Sequence, residues 1–325
     1  MQKAQTLLAR QKWFPVSIAS VVLCLLLAFA SPAFLSLTNF ESILLQASVT
    51  LIMAVGMCLI ILSGGIDISM GAILFFTSAL FAKLMVETDS YFFCMGVAMV
   101  CATGLGTING LLVNKFQLSP LITTLATYSI YRGMAIHLTG AENIPVSREH
   151  GFLGNGNVAG IPVPILLLVT VLLVGVYLLT KTRFGLYLRA MGNSSRSASE
   201  SGLPVQSMTV LVYAIGGFFT GIAALILIAR VGGLQSGIGI GIEFTVIAAV
   251  ILGGTKLSGG SGSVVGSAMG AIFLVLIDNG LNLLNASPYI YDIVRGGVLL
   301  AAVIIDRASV YRQERQRRLE EASRL

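Results

Sequence analysis

The chain carries few side chains that could do covalent or metal chemistry, and their spacing argues against both. His137 and His150 are its only histidines, and neither has a second ligand at metal-binding spacing. Cys24, Cys58, Cys94 and Cys101 lie singly inside apolar runs with no Cys-x-x-Cys pair. They read as small apolar fillers, not as a disulfide framework or a metal site. No nucleophile stands beside a base. The stretch GGTKLSGG at 253–260 invites a phosphate-cradle reading, but G-x-x-x-x-G-K-[ST] is absent and Lys256 falls at the wrong spacing. Neither catalysis nor ATP binding by that route is expected of this chain.

What remains is a handful of polar residues where apolar ones should be. Asp67 lies in SGGIDIS between two apolar segments, Arg132 within a fifth such segment and Asp278 within a ninth. A charge at the centre of a bilayer costs about 2.5–3.5 kcal/mol on insertion scales, so each must face protein, water or another charge. Two readings stand side by side. In the structural one Asp67 caps backbone donors, Arg132 snorkels, and Asp292 pairs with Arg295 at i, i+3. In the functional one these groups line a route for a solute. The candidate path or gate then comprises Ser63, Asp67, Ser69, Arg132, Gly253, Gly254, Asp278 and Asn279.

The elements that must position them follow from composition. Of the 325 residues 56% are hydrophobic and 10% charged, and the mean hydropathy is +0.90. Lipid is the solvent for most of this chain. Apolar segments fall at 14–30, 43–62, 71–86, 92–113, 121–138, 162–180, 210–229, 244–252, 264–284 and 289–305. The expected fold is an all-α polytopic transmembrane bundle of about ten spans, including short or broken helices. The run at 14–30 looks like a signal peptide but is long for one and reads as a first span that stays. Residues 231–243 are too glycine-rich for a stable span, and the segment after them, 244–252, is short enough to be re-entrant. The hydrophilic stretch 139–160 reads as an external loop.

Charge sets the orientation. The net charge of +6 resides in the two ends and in one polar island, KTRFGLYLRAMGNSSRSASESGLPVQ at 181–206. That distribution marks cytoplasmic segments and not a nucleic-acid surface. Tails at 1–13 and 307–325 and the connector 181–209 are expected inside, around a membrane domain at 14–306. Within the island, Asn193 and the serines behind it resemble a helix N-cap, and Gly202 with Pro204 a stop, so a short helix near 194–201 is expected along the membrane surface. It reads either as a solvated loop or as a docking surface.

The chain also echoes itself. LSGG at 62–65 is matched by LGG at 252–254, and NGLLVNKFQLSP at 109–120 by NGLNLLNASP at 279–288. Glycine-interrupted segments in corresponding places of two halves point to a solute path. Tight helix packing through small residues is the competing use of many of the 36 glycines.

Four collinear stretches carry a family resemblance: LSGGIDISMG (62–71), NGLLVNKFQLSPLITTLATYSIYRGMA (109–135), TRFGLYLRAMGN (182–193), and IAAVILGGTKLSGGSGSVVG through DNGLNLL (247–284). Over nearly its whole length the chain resembles the permease subunits of bacterial ATP-binding-cassette importers for ribose and related monosaccharides. The resemblance implies a non-enzymatic transport subunit of the cytoplasmic (inner) membrane, with both termini inside. It further implies two permeases, a homo- or heterodimer, two ATPase subunits, and a sugar-binding protein on the outer side. No cofactor is implied for this chain itself; ATP and magnesium belong to the partner ATPase. The island becomes the coupling segment, with Arg189, Asn193, Ser194, Glu200, Ser201 and Gly202 as candidate contacts to the ATPase. Two departures stand out: Glu200 where the family has an apolar residue, and Glu243-Phe244-Thr245 where it has Glu-x-Asp. They bear on which ATPase fits and remove any acid at position 245. A cation-coupled secondary transporter, or a membrane enzyme or scaffold, are the alternatives.

Overall fold

The computed structural model describes residues 13–88, 90–147 and 151–322. His150 and the basic residues of the N-terminal tail lie outside them. The helices are α1 Phe14–Ala30, α2 Leu37–Leu62, α3 Met70–Thr88, α4 Tyr91–Lys115, α5 Pro120–Thr139, α6 Val163–Lys181, α7 Arg183–Asn193, α8 Ser195–Glu200, α9 Val205–Val231, α10 Ile242–Leu252, α11 Val264–Leu283 and α12 Pro288–Ala322. Two-residue strands β1 (Ile144–Pro145) and β4 (Gly233–Leu234) pair antiparallel, as do β2 (Asn157–Val158) and β3 (Ile161–Pro162). The expected loop at 139–160 carries β1, β2 and one helical turn, Phe152–Asn155.

The helix bounds follow from local chemistry. Ser36 caps α2, its Oγ accepting the N–H of Asn39 at 3.2 Å. Proline opens α5 at a position that has no intrahelical donor to lose. α2 is apolar on every side, and each residue from Ala47 to Leu62 is buried, the signature of a helix enclosed by others. At 26 residues it extends about 39 Å, more than the roughly 30 Å hydrocarbon layer. Around it stand α6, α9, α10 and α11, while α3, α4 and α5 share a second apolar cluster. The rim is apolar too: Phe29, Phe92 and Val100 are at least 75% exposed, which suits side chains that meet acyl chains.

Six helices among the described residues are long and apolar enough to cross a membrane: α2, α3, α4, α6, α9 and α11. α1 and α10 are apolar but shorter. At 11 residues α10 reaches about 16 Å, half the hydrocarbon layer. α12 continues without interruption past Asp306, so the segment expected as a separate tail begins as an extension of the last helix.

Glycine does two jobs. Where α4 crosses α9 a Cβ on Gly106 would stand 3.0 Å from the Gly217 Cα and overlap the Tyr213 carbonyl, so these helices touch backbone to backbone. At the ends of α2 and α10 glycine instead closes the helix. Gly64 and Gly254 take φ of +87° and +84°. The Gly65 N–H donates to the Ile60 carbonyl and the Thr255 N–H to that of Val250, at 3.0 and 3.2 Å. Both are Schellman closures. The second echo is matched as well: Gln117 and Asn285, each three residues before a proline, have φ of +51° and +52°.

Candidate functional site

Apart from Arg132, the residues singled out from the sequence fall into three places along the bundle axis, two of them positioned by a break in a helix.

The first is a joint at one end. The Gly260 N–H donates to the Leu62 carbonyl at 3.0 Å. A Cβ on Gly192 would overlap the Leu62 carbonyl oxygen and the Gly260 nitrogen, and one on Gly260 would overlap the Asn193 side chain. Gly259 faces Gly64 and Gly192, with about 3.0 Å left for a Cβ. Thus the end of α2, the end of α7 and the loop after α10 meet as bare backbone. Ser63 lies in this turn, its Oγ donating to the Ile60 carbonyl at 2.7 Å. Gly253 approaches Gly266 at the base of the α10–α11 hairpin, and Gly254 supplies the left-handed turn.

Next to the joint stands the polar island, in two helices where one was expected. The unforeseen one, α7, turns Gly185, Leu188 and Met191 inward. The i, i+3 and i+4 spacing of Phe184, Leu188 and Met191 is the signal that reveals it. α8 follows the expected short helix with its cap moved by one residue. Ser194, not Asn193, accepts the N–H of Ser197, at 3.2 Å, and Asn193 ends α7. Gly202, with φ +80°, closes α8 as the Leu203 N–H returns to the Ala198 carbonyl. Glu200 and Arg196 form an exposed i, i+4 pair at 2.9 Å, worth little to stability. Arg189 sits half-buried on α7 and Ser201 follows α8, its Oγ donating to the Ser197 carbonyl.

The second place is a buried network in the α2–α3 break. Asp67, fully buried, has Oδ1 accepting from the Ser69 N–H at 2.9 Å and the Ser69 hydroxyl at 2.7 Å. Asn109 of α4 donates to the Ser69 Oγ at 2.7 Å and to Asp67 at 3.4 Å. Its own oxygen accepts from the Tyr131 hydroxyl at 3.0 Å. Thr124 accepts the Ile68 N–H, and Tyr213 donates to the Ile66 carbonyl. The Asp67 and Ser69 side chains, the Ile66 carbonyl and the Ile68 N–H thus find partners on α4, α5 or α9. That satisfies the condition under which irregular backbone persists at membrane depth.

The third place lies toward the opposite end. A cleft of about 210 Å³ is bounded by Gln46, Val49 and Thr50 of α2, Leu227 and Arg230 of α9, Gly239 and Ile240, Ile242 and Thr245 of α10, Asp278 of α11 and Arg295 of α12. Arg295 grips Asp278 with two bonds, Nη2 to Oδ2 at 2.8 Å and Nε to Oδ1 at 3.3 Å. The local pair expected between Asp292 and Arg295 is therefore secondary: that contact is 4.0 Å long and Asp292 is exposed. Geometry explains the preference, since a bidentate grip across helices outcompetes one long i, i+3 contact. A wider hollow of about 460 Å³, lined by Asn282, Asn285, Tyr291 and Asp292, also reaches Arg295. The ion pair stands between the two hollows. Asn279 exchanges reciprocal amide bonds with Asn39 at 2.7 and 3.2 Å.

Asp278→Ala is expected to lower stability by on the order of 2 kcal/mol, reduced from the fully buried case by the partial exposure of Arg295. A double-mutant cycle with Arg295→Ala, followed by thermal unfolding in detergent, measures the coupling. A coupling below about 0.5 kcal/mol would contradict the pairing.

Arg132 belongs to none of the three places. It donates to the Ser236 and Ile238 carbonyls at 2.8 and 3.4 Å and lies 4.7 Å over the Phe75 ring. It thereby fastens α5 to the chain entering α10. The sequence-level candidates do not converge on one site, and of them only Asp278 lines the cleft. Gln46, Thr50 and Arg230 were not singled out, and Thr245 only as a departure from the family's Glu-x-Asp. The signal for the first two is their i, i+4 spacing, which sets two polar groups on one face of an otherwise apolar run. Among the described residues no cluster of three His, Cys, Asp or Glu side chains could hold a metal ion.

Comparison with known proteins gives a consistent answer. Residues 39–303 match the family described as branched-chain amino acid transport system / permease component. The ribose import permease protein RbsC of Escherichia coli K12 is 35% identical over 294 residues, covering 89% of this chain and 92% of that protein. The Bacillus subtilis ribose import permease protein RbsC is 37% identical over 297 residues, covering 88% and 90%. The L-arabinose transport system permease protein AraH of E. coli K12 is 33% identical over 297 residues, covering 91% and 90%. No solved structure matches.

Proposed function

The chain belongs to the permease-component family of ATP-binding-cassette importers, in its ribose-type sugar branch, and on that premise we propose how its three polar places divide the work of transport. It is a transmembrane permease subunit that passes a monosaccharide through the inner membrane. It is not an enzyme; a separate ATPase subunit hydrolyses ATP.

The proposed membrane arrangement has ten spans: α1 to α6, α9, α10, α11 and the apolar part of α12. α10 is completed in depth by the irregular chain before it. The antiparallel contact of α4 with α9 and the α10–α11 hairpin put Lys115, the joint and the island at one end of the bundle. The basic residues of the island assign that end to the cytoplasm, with both tails beside it and the membrane domain occupying 14–306.

The carrying observation is the joint. α7 ends in backbone contact with both helix breaks, so a push on the connector 181–209 displaces the ends of α2 and α10 together. Arg189, Asn193, Ser194, Glu200, Ser201 and Gly202 are the proposed contacts to the ATPase. Ser63, Gly253 and Gly254 form the inner hinge, Asp67 and Ser69 hold the α2–α3 break, and Asp278 with Asn279 faces the outer approach. Arg132 steadies the chain leading to α10. A second permease copy and a sugar-binding protein complete the machine, whose motion is a rigid-body alternation between outward-open and inward-open states.

The test is the energy source. Membrane vesicles containing the assembled importer should accumulate sugar when ATP reaches the ATPase, and should continue when ionophores collapse every ion gradient. Uptake that stops with the gradients while ATP remains would favour cation coupling.

A further inference from the structure

The cleft is lined by hydrogen-bonding groups, several of them left wholly or partly unmatched among the described residues. On α2 the Gln46 amide and the Thr50 hydroxyl, one turn apart, have no hydrogen-bond partner among the described residues, although Thr50 is only 8% exposed. Thr245 on α10 makes a single 3.3 Å bond, to the Gly241 carbonyl of its own helix start. Arg230 places Nη1 on the Leu45 carbonyl at 2.7 Å, which engages one of the five N–H donors a guanidinium carries. Groups left unmatched are costly to strip of water, so a cleft built this way favours a polar occupant. Among the described residues the Thr77 Oγ1 and Glu243 Oε2 are also buried without a partner, whereas the polar groups around Asp67 are matched with care; the cleft differs in gathering several such groups around one space.

Charge narrows the occupant. Asp278 is the one carboxylate lining the cleft and Arg295 already neutralises it, so Arg230 leaves an excess of one positive charge. An organic cation is repelled. A neutral polyol suits the lining, because each hydroxyl both donates and accepts. It can give a proton to the Gln46 oxygen or the Thr50 and Thr245 Oγ and take one from Arg230. The space of about 210 Å³ corresponds to roughly seven waters, the scale of one sugar ring rather than a chain of them.

We propose that this cleft is a sugar-reading station inside the permease, where Gln46, Thr50, Thr245 and Arg230 bind the hydroxyls of one neutral monosaccharide ring. The Asp278–Arg295 ion pair forms its outer wall. The proposal rests on the importer reading and adds to it a second point of selection, after the binding protein. It accounts for the ion pair's position between the cleft and the wider outer hollow, where a solute released outside would first arrive.

The experiment uses the complete importer in proteoliposomes with its ATPase and saturating binding protein, so that the binding protein's own affinity drops out. Labelled aldopentoses, aldohexoses and their single-deoxy analogues are the probes. Thr50→Val and Thr245→Val keep shape and remove a hydroxyl. Each is expected to slow uptake of the preferred sugar about tenfold, while slowing one deoxy analogue far less, so that the ratio between the two sugars collapses. As a second measurement independent of uptake, Gln46→Cys is placed in a background with Cys24, Cys58, Cys94 and Cys101 changed to alanine. A hydrophilic methanethiosulfonate should modify it, and millimolar sugar should slow the reaction several-fold. Normal uptake and unchanged sugar ratios in both valine variants, or modification that sugar does not slow, would overturn the station and leave the importer reading standing. Absence of ATP-driven sugar uptake in the unaltered importer would overturn both.

Discussion

Gly192→Ala is expected to abolish sugar uptake while the protein still reaches the membrane. The added methyl would overlap the Leu62 carbonyl oxygen and the Gly260 nitrogen, both backbone atoms that cannot rotate aside. Relief requires the end of α7 to part from the ends of α2 and the loop after α10, which breaks the Gly260 N–H to Leu62 carbonyl bond. Overpacking of this kind typically costs 1–3 kcal/mol, too little to unfold a helical bundle but enough to spoil a fitted joint. ATP hydrolysis by the assembled importer should then persist at half or more of its rate while uptake falls more than tenfold. Gly104→Ala is the control, since a Cβ there meets nothing within 4 Å. Undiminished uptake by Gly192→Ala would mean that the joint carries no motion.

Asp67→Ala should have an equally large effect of a different kind. It strands the Ser69 N–H and hydroxyl and loosens Asn109, all inside the fold. Leaving buried donors unmet costs about 1–3 kcal/mol each, and two or three of them together are a large share of what holds any single domain together. The expected outcome is loss of folded protein from the membrane, read as a drop of tens of degrees or as degradation. Asp67→Asn keeps one acceptor oxygen and should fall between alanine and the native residue. An alanine variant with normal abundance and melting temperature would show that water or rearranged side chains serve the break equally well.

Much of the scaffold was legible because lipid imposes simple rules. The apolar runs at 71–86, 92–113 and 121–138 became α3, α4 and α5 with two residues or fewer added at either end. The shortness of the segment at 244–252 was likewise visible, and α10 begins only two residues earlier. The echo of LSGG in LGG proved physical: both stretches close a helix with the same pair of backward bonds. α7 was hidden because its arginines and glycines made the island look like a connector. Its inward stripe of Phe184, Leu188 and Met191 is only three residues wide.

Partners across the bundle were the least readable. Local spacing offered Asp292 for Arg295, and the fold supplied Asp278 instead, on a different helix. Asp67 was flagged as a charge in need of company, yet nothing in the sequence names Asn109 and Tyr131 as its neighbours. The cleft was missed for a related reason. Gln46, Thr50, Arg230 and Thr245 come from three helices, and only Thr245 drew notice, as a missing acid; only the fold shows that they face the same space. The glycines, by contrast, divide cleanly once contacts are known. Gly106 and Gly217 serve close packing, Gly64 and Gly254 serve helix closure, and Gly192 and Gly260 serve the joint.

In the proposed mechanism this subunit has no engine of its own and moves only when its connector is pushed. The direct measurement is the initial rate of labelled-sugar entry into proteoliposomes that contain the permease and binding protein, with and without the ATPase subunit and ATP. The predicted result is entry at the rate of empty liposomes when the ATPase is left out, and accumulation against a gradient when it is restored. Accumulation at an undiminished rate without the ATPase would contradict the account.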